Sequence, residues 1–362
     1  MKKYFYMFAC LFAATTLTTS CLDDNDDDPI IDPVAVVETD GAFILNEGNY
    51  YASINGSLDY LDYTTEQVRR GIFAAANKRS LGNTPNNMLV GNSVMYIAIN
   101  GENRIEVVDK STMMATTSIN VPSPREMTTD GVYVYVTSYD GRVRKIDTEY
   151  NIVVAQSEVV GDNLEGIAYL GGSLYVCNSC KPGETYTYHN ELVKLNASTM
   201  GSEGKIIVGL NPTQVLTDGT DLFVLCMGDY ATNPAKVQKV SAEGKTATDI
   251  ASATFMTIAA GKLYLINAPW GSTPTYNVYD IKTGNTTTFV RGDEIFSPCA
   301  IAVDPIKGDA FITSYTKGES DYADYNADGY IVHYDKDGNF VSRNQTGVGP
   351  ATIVFNYHYE YR

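Results

Sequence analysis

The chain has 362 residues, of which 44% are hydrophobic, and a formal net charge of −17. It is long enough to bury a substantial core, either as one large all-β domain or as two domains. The negative charge argues against a nucleic-acid partner, because nucleic-acid-binding proteins present a basic surface to the phosphate backbone. Tyrosine (27) outnumbers phenylalanine (12), which favours half-exposed strands and binding faces over a purely apolar core.

Residues 1–20 are predicted to be a signal sequence that does not belong to the fold. Lys2 and Lys3 precede an apolar run, which is too short to span a bilayer comfortably. Small residues then lead to Cys21. This pattern resembles a bacterial lipoprotein signal, which implies that Cys21 is lipidated. The alternative is an ordinary secretory signal followed by an incidental cysteine.

An acidic segment follows Cys21. Residues 22–28 read LDDNDDD, and a proline-containing stretch continues from there. Because a block of like charges stays solvated, residues 21–39 are predicted to form a disordered tether between the lipid and the fold. The block also resembles the export signal of Bacteroidetes surface lipoproteins. That resemblance implies a lipid-anchored protein on the outer membrane, facing the cell exterior.

Residues 40–362 are predicted to form a single domain of repeated β-units, each of about forty residues. In the clearest copy, residues 122–147, an Asp130-Gly131 turn separates apolar runs, and valines alternate with tyrosines over 132–136. Asp-Gly between such runs is a strong hairpin signal, because the turn needs residues that accept positive φ. Alternation with a period of two is the pattern of a β-strand.

Complementary chain ends indicate how the copies assemble. The copy near Phe43 lacks an opening strand, whereas the strand from Ala351 has no further copy after it. The sequence therefore predicts an all-β, seven-bladed β-propeller closed by pairing of the N- and C-terminal strands, with six- and eight-bladed rings as alternatives. The opening segments of successive copies start at Pro85, Pro124, Leu164, Pro212, Thr254, Pro298 and Pro350.

Several motifs resemble the YncE-like or YVTN-type propeller lipoproteins of Bacteroidetes. They are FILNEGN at 43–49, LGNTP at 81–85, SPR at 123–125 and AVDP at 302–305. The resemblance covers residues 40–357. Some members capture cobalamin at the cell surface and sit on the outer-membrane vitamin B12 transporter. The resemblance therefore implies a lipoprotein that binds a corrinoid and delivers it to a TonB-dependent transporter.

Two classes of loop are expected on one face of such a propeller: those that enter each first strand and those between the second and third strands. Here both classes carry aromatic residues with a few charged groups, which suits a rigid site for a large flat ligand. From the residues alone, a corrin ring and a sugar fit equally, and any single tyrosine is also consistent with packing between blades. The candidate ligand-binding residues are Tyr50, Tyr51, Arg125, Glu126, Tyr139, Glu165, Tyr186, Tyr188, Tyr230, Phe255, Trp270 and Tyr315.

Cys177 and Cys180 form a C-x-x-C motif at the end of a predicted strand. A structural zinc site would need a second pair, and Cys226 and Cys299 are single and far apart. A disulfide or two packed thiols is therefore expected.

Residues 324–329 read DYNADG, which matches the first half of an EF-hand calcium loop. Position twelve of that loop would be Asp335, whereas an EF-hand needs a glutamate there. A polar turn is expected, with calcium bound near Asp324, Asn326 and Asp328 as the alternative.

The sequence predicts a protein without catalytic residues or a cofactor. The three histidines are dispersed, and no Ser-His-Asp arrangement follows from their spacing. Two alternatives to corrinoid capture remain open. One is a calcium-dependent propeller hydrolase such as a lactonase, in which Glu126, Glu165 and Asn86 would face a central channel. The other is a glycan-binding accessory lipoprotein.

Overall fold

The computed structural model describes residues 35–241, 246–290, 295–319 and 321–361. The predicted signal sequence, Cys21 and the acidic segment lie outside the described residues, so these assignments stay predictions. Within the described ranges, no helix has the length and apolar character needed to cross a membrane.

The predicted all-β class is confirmed. One short helix, α1 (Ile72–Asn77), and one 3-10 turn (Asn100–Glu102) interrupt the strands. In chain order the strands are β1 (Ala35–Asn46), β2 (Ser57–Asp62), β3 (Gln67–Arg69), β4 (Pro85–Val90), β5 (Val94–Ile99), β6 (Arg104–Asp109), β7 (Ala115–Asn120), β8 (Pro124–Thr129), β9 (Tyr133–Ser138), β10 (Val143–Asp147), β11 (Ile152–Gln156), β12 (Asn163–Leu170), β13 (Ser173–Lys181), β14 (Thr187–Asn196), β15 (Ser202–Ile207), β16 (Pro212–Thr217), β17 (Asp221–Cys226), β18 (Lys236–Ser241), β19 (Ala247–Ala251), β20 (Phe255–Ala259), β21 (Lys262–Asn267), β22 (Thr275–Asp280), β23 (Thr286–Thr288), β24 (Ser297–Val303), β25 (Ala310–Lys317), β26 (Ala323–Asp324), β27 (Asp328–Tyr334), β28 (Phe340–Val348) and β29 (Pro350–Tyr361).

These strands form antiparallel sheets in which most pairs are consecutive in the chain; the exceptions are β29 with β1 and β25 with β27. In the described part of the chain the sheets have the strand orders β29-β1-β2-β3, β4-β5-β6-β7, β8-β9-β10-β11, β12-β13-β14-β15, β16-β17-β18-β19, β20-β21-β22-β23 and β24-β25-β27-β28, with β26 paired to β25. We number the sheets one to seven in this order. The first strand of each sheet lies against the first strand of the next, and β29 lies against both β24 and β4.

The turn predicted at Asp130-Gly131 is present between β8 and β9. Gly131 adopts a φ of 91°, in the left-handed region that favours glycine. Asp130 Oδ1 accepts hydrogen bonds from the backbone N–H groups of Val132 and Tyr133 at 2.9 and 2.7 Å. The turn therefore follows from local sequence chemistry.

The core lies between neighbouring sheets, so the central strands are buried on both faces. In β9, Val134 and Val136 pack with Tyr96 of the second sheet, whereas Tyr135 packs with Leu164 of the fourth. Tyr135 is fully buried. Its hydroxyl donates hydrogen bonds to Asp130 Oδ2 and the Ala197 carbonyl at 2.8 and 3.2 Å. For this tyrosine the expectation of a half-exposed strand is wrong, because sheets cover both sides.

The last sheet packs against the first in the same way. Ala42 and Ile44 of β1 share an apolar cluster with Phe311 of β25 and Ile331 of β27. The terminal strand β29 pairs with β1 along its length.

One boundary differs from the prediction. Residues 35–39, assigned to the tether, belong to β1 and pair with residues 357–361 of β29. The reason is that β29 extends to the end of the described chain and offers backbone partners to these residues. The polar composition before residue 35 gives no sign of this pairing.

Candidate functional site

The two loop classes expected on one face do meet there. In several sheets a backbone N–H just after the second strand donates to a carbonyl at the entry of the first strand, which joins both loops at one end of the sheet. We call this end the upper face and the opposite end the lower face. The donor and acceptor pairs, at 2.8–3.1 Å, are Glu47 with Gly349, Asn100 with Thr84, Tyr139 with Ser123 and Met227 with Asn211.

Charged side chains reach this face because the first strands are bulged where they begin. The register of β8 with β9 shifts between Pro124 and Met127, and that of β12 with β13 shifts between Leu164 and Ile167. A bulge inserts unpaired residues and redirects their side chains, which is why bulges often lie beside functional sites. Arg125, Glu126 and Glu165 lie within these two bulges.

Arg125, Glu165 and Tyr139 form one hydrogen-bonded unit across the third and fourth sheets. Arg125 Nε donates to Glu165 Oε2 at 2.9 Å, and the Tyr139 hydroxyl donates to Glu165 Oε1. The Arg125 guanidinium lies 4.7 Å from the centre of the Tyr139 ring, a cation–π distance. Each side chain is held by the other two, so the unit is ordered before any ligand arrives.

Two more carboxyl groups lie near this unit. Burial raises the pKa of Glu126 to about 7; the Glu165 carboxylate adds to the increase and Arg125 opposes it. Burial also raises the pKa of Glu47; the Arg125 guanidinium lowers this pKa, and the Glu165 carboxylate raises it further. One guanidinium is thus shared among three acids, and Glu126 changes its charge near neutral pH.

Tyr186, Tyr188 and Tyr230 form an aromatic cluster over the fourth and fifth sheets. The Tyr186 and Tyr188 rings stack at a centroid distance of 6.4 Å, and Tyr188 meets Tyr230 edge-on at 6.0 Å. Asn211 Nδ2 donates to the Tyr230 hydroxyl at 3.5 Å, and Ser179 donates to Asn211 Oδ1 at 2.7 Å. Tyr186 and Tyr230 nevertheless expose more than half of their surface, so they offer ring faces to a ligand.

The seventh-sheet loop contributes aromatics that the sequence analysis missed. Trp270 stacks on Tyr322 at 5.7 Å with nearly parallel rings, and Tyr315 meets Tyr325 edge-on at 4.8 Å. Tyr322 and Tyr325 lie between β25 and β27, in a loop of the class that supplied the other candidates. The class of this loop could have identified Tyr322 and Tyr325, but the sequence pattern at 324–329 indicates only a calcium-like turn.

Tyr50 and Tyr51 lie together on the rim, with their rings edge-on at 5.6 Å. Asn49 holds this loop, because its Oδ1 accepts from the Tyr51 N–H at 3.0 Å. Asn49 Nδ2 donates to Asn326 Oδ1 at 2.8 Å and thereby links the loops of the first and seventh sheets.

The calcium-like residues are engaged with protein partners. Asn326 Oδ1 accepts from Asn49, and Asp328 Oδ1 accepts from Arg70 at 2.7 Å. Asp324 Oδ1 accepts from the Asn326 N–H at 2.9 Å. Among the described residues, no group of three or more His, Cys, Asp and Glu side chains is placed to hold a metal ion. These hydrogen bonds describe a polar turn, and calcium binding there stays an alternative prediction.

Other candidates lie outside the site. Phe255 packs against the core between the sixth and seventh sheets. Asn86 Nδ2 donates to the Arg125 carbonyl at 2.8 Å and thereby supports β8. Cys177 and Cys180 are both free thiols, so the packed-thiol alternative holds. Burial raises the pKa of Cys177 well above its usual range, which keeps it a protonated core residue.

The fold and site define a class: an all-β, propeller-like protein with exposed aromatic rings and a hydrogen-bonded charged unit at one end of its sheets. A family model described as "Domain of unknown function (DUF5074)" matches residues 40–356. The chain belongs to that family. No curated protein matches it.

Solved structures support the fold class. A quinoprotein alcohol dehydrogenase-like protein from Bacteroides thetaiotaomicron is 15% identical, with a TM-score of 0.63 over 88% of this chain and 78% of that one. A putative 6-phosphogluconolactonase from Bacteroides uniformis is 9% identical, with a TM-score of 0.63 over 88% and 100%. Hydrazine synthase from Kuenenia stuttgartiensis is 17% identical, with a TM-score of 0.58 over 77% and 95%. At these identities the likeness concerns the fold alone.

Proposed function

We propose that this protein is a cell-surface lipoprotein that binds a corrinoid and delivers it to a TonB-dependent outer-membrane transporter. The observation that carries the proposal is the upper face, where the unit of Arg125, Glu165 and Tyr139 lies at the same end of the sheets as loops that carry exposed aromatic rings. The proposal needs no catalytic step. Lipidation of Cys21 would anchor the chain to the outer membrane, facing the cell exterior.

The proposal includes the architecture of the ring. We propose seven blades, closed where β29 joins β1. The strand orders, the contacts of β29 with both β24 and β4, and the apolar cluster shared by the last and first sheets support this arrangement. A closed ring leaves no open sheet edge at the chain ends and keeps the loops of the upper face at fixed separations.

A corrinoid suits the chemistry of the upper face. Its conjugated ring is large and flat and can pack on tyrosine and tryptophan faces, while its amide arms need hydrogen-bond donors and acceptors at the rim. Tyr230 and Glu126 are groups of that kind. Because the Arg125 unit is ordered by its own contacts, little side-chain entropy is lost when a ligand binds.

Calorimetric titration with cyanocobalamin tests the proposal. The chain should start at residue 22, because a start at the predicted domain boundary would remove part of β1. Tyr230→Ala is the test variant and Tyr150→Ala its matched control. These tyrosines are 69% and 68% exposed, but Tyr150 lies in a lower-face loop between β10 and β11.

We expect one-to-one binding that Tyr230→Ala weakens by about ten-fold, the loss typical of one aromatic contact, and that Tyr150→Ala leaves unchanged. No heat at micromolar protein would contradict corrinoid binding. Equal losses in both variants would contradict the location. If cyanocobalamin does not bind, the same variants should be titrated with glycans and lactones, the other ligand classes that the sequence left open.

Anchoring and delivery need separate measurements. We expect the parent chain, but not Cys21→Ser, to incorporate a fatty-acid label and to be cleaved by protease added to intact cells. We also expect the lipidated protein to co-purify with a TonB-dependent transporter. Failure of co-purification would contradict delivery to a transporter but would not affect the proposal that the protein captures a ligand.

A further inference from the structure

The lower face holds a cleft that the proposed function does not use. Its volume is about 860 Å³, within the range of pockets that bind one small molecule. It lies between the first and second sheets. Its walls come from residues near Asp40 of β1, from 356–359 of β29, and from residues 110–113 between β6 and β7. These segments lie at the lower ends of their sheets, opposite the Glu47–Gly349 contact of the first sheet and the Asn100–Thr84 contact of the second.

Lys110 supplies a cation that forms no ion pair among the described residues. Its Nζ donates to the Tyr357 carbonyl at 3.4 Å, and no carboxylate among the described residues lies within ion-pair distance of it. The nearby Asp40 carboxylate is paired with His358, whose Nδ1 lies 2.7 Å from Asp40 Oδ1. Burial lowers the pKa of Lys110, with Asp40 opposing. An ammonium group in this setting gains from an incoming anion.

Arg69 adds a second cation at the mouth of the cleft. Its guanidinium lies 5.0 Å from the centre of the Tyr60 ring, and the described residues provide no ion-pair partner for it. The charged side chains of the lining are therefore Arg69, Lys110, Asp40 and His358. Their sum is positive, although the whole chain carries −17.

The rest of the lining is apolar or aromatic. Phe43, Ile72 and Met113 belong to the core cluster between the first and second sheets and also line the cleft, as does the buried ring of Tyr60. A fully hydrated inorganic ion would gain nothing from these surfaces, whereas an organic body would bury apolar area against them.

We propose that this cleft binds a small organic anion with a flat apolar body, and that Lys110 and Arg69 hold its anionic group. The site is distinct from the upper face and does not depend on the proposed corrinoid function.

The repeat provides an internal comparison for Lys110. Asp335-Lys336 in the seventh sheet occupies the same loop position as Asp109-Lys110 in the second. Both aspartates accept a hydrogen bond from the backbone N–H two residues later, at 2.9 and 3.1 Å respectively. Lys336, however, is 66% exposed and paired with Asp337 at 2.6 Å. The local motif is shared, but only Lys110 lines this cleft.

Two fluorescent probes of similar shape test the proposal on the chain from residue 22. One is 8-anilinonaphthalene-1-sulfonate, which is anionic; the other is N-phenyl-1-naphthylamine, which lacks the sulfonate. We expect saturable one-site binding of the sulfonate. Lys110→Met should weaken it by about ten-fold, the loss of one charge-assisted hydrogen bond, and should change binding of the uncharged probe less than two-fold. Lys336→Met should change neither.

Other outcomes would overturn the proposal. These are the absence of saturable sulfonate binding, unchanged binding in Lys110→Met, or equal losses of both probes. If thermal unfolding shows that Lys110→Met is destabilised, Arg69→Met replaces it, because Arg69 is exposed and its removal leaves the core intact. Loss of sulfonate binding in Tyr230→Ala but not in Lys110→Met would place the probe on the upper face and refute the site. Cyanocobalamin binding enters none of these outcomes.

Discussion

The charge of Glu126 should make the stability of this protein depend on pH near neutrality, and Glu126→Gln should remove that dependence. In the folded state burial raises the pKa of this carboxyl from 4.5 to about 7. A raised pKa means that the protonated form is favoured by folding. The contribution to stability is complete below pH 4.5 and is lost as the pH rises through about 7.

The size of the effect follows from the shift. The difference between 4.5 and about 7, at about 1.4 kcal/mol per pKa unit, sets an upper limit of roughly 3 kcal/mol. Because Glu126 retains some exposure to solvent, we expect its pH-dependent contribution to the unfolding free energy to be about 1–3 kcal/mol. Glutamine has nearly the same shape and does not ionise. The unfolding free energy of the variant, relative to that of the parent, should therefore rise by this amount between pH 4.5 and pH 8.

Urea unfolding followed by circular dichroism at pH 4.5, 6 and 8 measures this gain. Glu158→Gln is the matched control, because its side chain is 96% exposed and its difference from the parent should be the same at each pH. A Glu126→Gln difference that does not change across the range would refute the reasoning. So would a difference of the opposite sign.

Three further predictions concern the proposed ring and the candidate site. Phe311→Ala should lower the unfolding free energy by about 3–5 kcal/mol, because it opens a cavity between the last and first sheets. Phe340→Ala is the control, because its ring is half-exposed, and it should lower the unfolding free energy by less than about 1 kcal/mol. Equal urea midpoints for the two variants would contradict this prediction. A chain that ends at Gly349 should lose the cooperative urea transition, because β1 loses its partner β29; an unchanged transition would show that β29 is dispensable. Treatment with EDTA should leave the cyanocobalamin isotherm unchanged, since the described residues offer no metal cluster; a chelator-sensitive isotherm would favour the calcium-dependent alternative.

Much of the fold was predictable because its signals are local. Alternating residues, Asp-Gly turns and prolines before first strands act over a few positions, so a single sequence contains them. The predicted starts at Pro85, Pro124, Pro212 and Pro350 are the first residues of β4, β8, β16 and β29. The extent of β1 was not predictable, because its first residues are strand only by pairing with the far end of the chain.

The candidate site was predictable in part of its membership but not in its geometry. Arg125, Glu165 and Tyr139 were all identified from loop class, yet their joint hydrogen bonding depends on two bulges and on the contact between two sheets. Phe255 satisfied the same loop rule, but it is half-buried and packs against the core between the sixth and seventh sheets. Whether a loop residue joins the charged unit or packs against the core depends on side chains about forty residues away in the sequence.

The sequence by itself determined most of the strands, the turns between them, the repeat and several of the residues near the upper face, because backbone conformation responds to local residue types. Only the tertiary structure decided which side chains are buried, paired or left available. Tyr135 is buried because sheets cover both faces of its strand. Lys110 and Lys336 share one local motif, yet one lines a cleft and the other lies in solvent. Burial and charge compensation are properties of the surroundings, and the surroundings are assembled from distant parts of the chain.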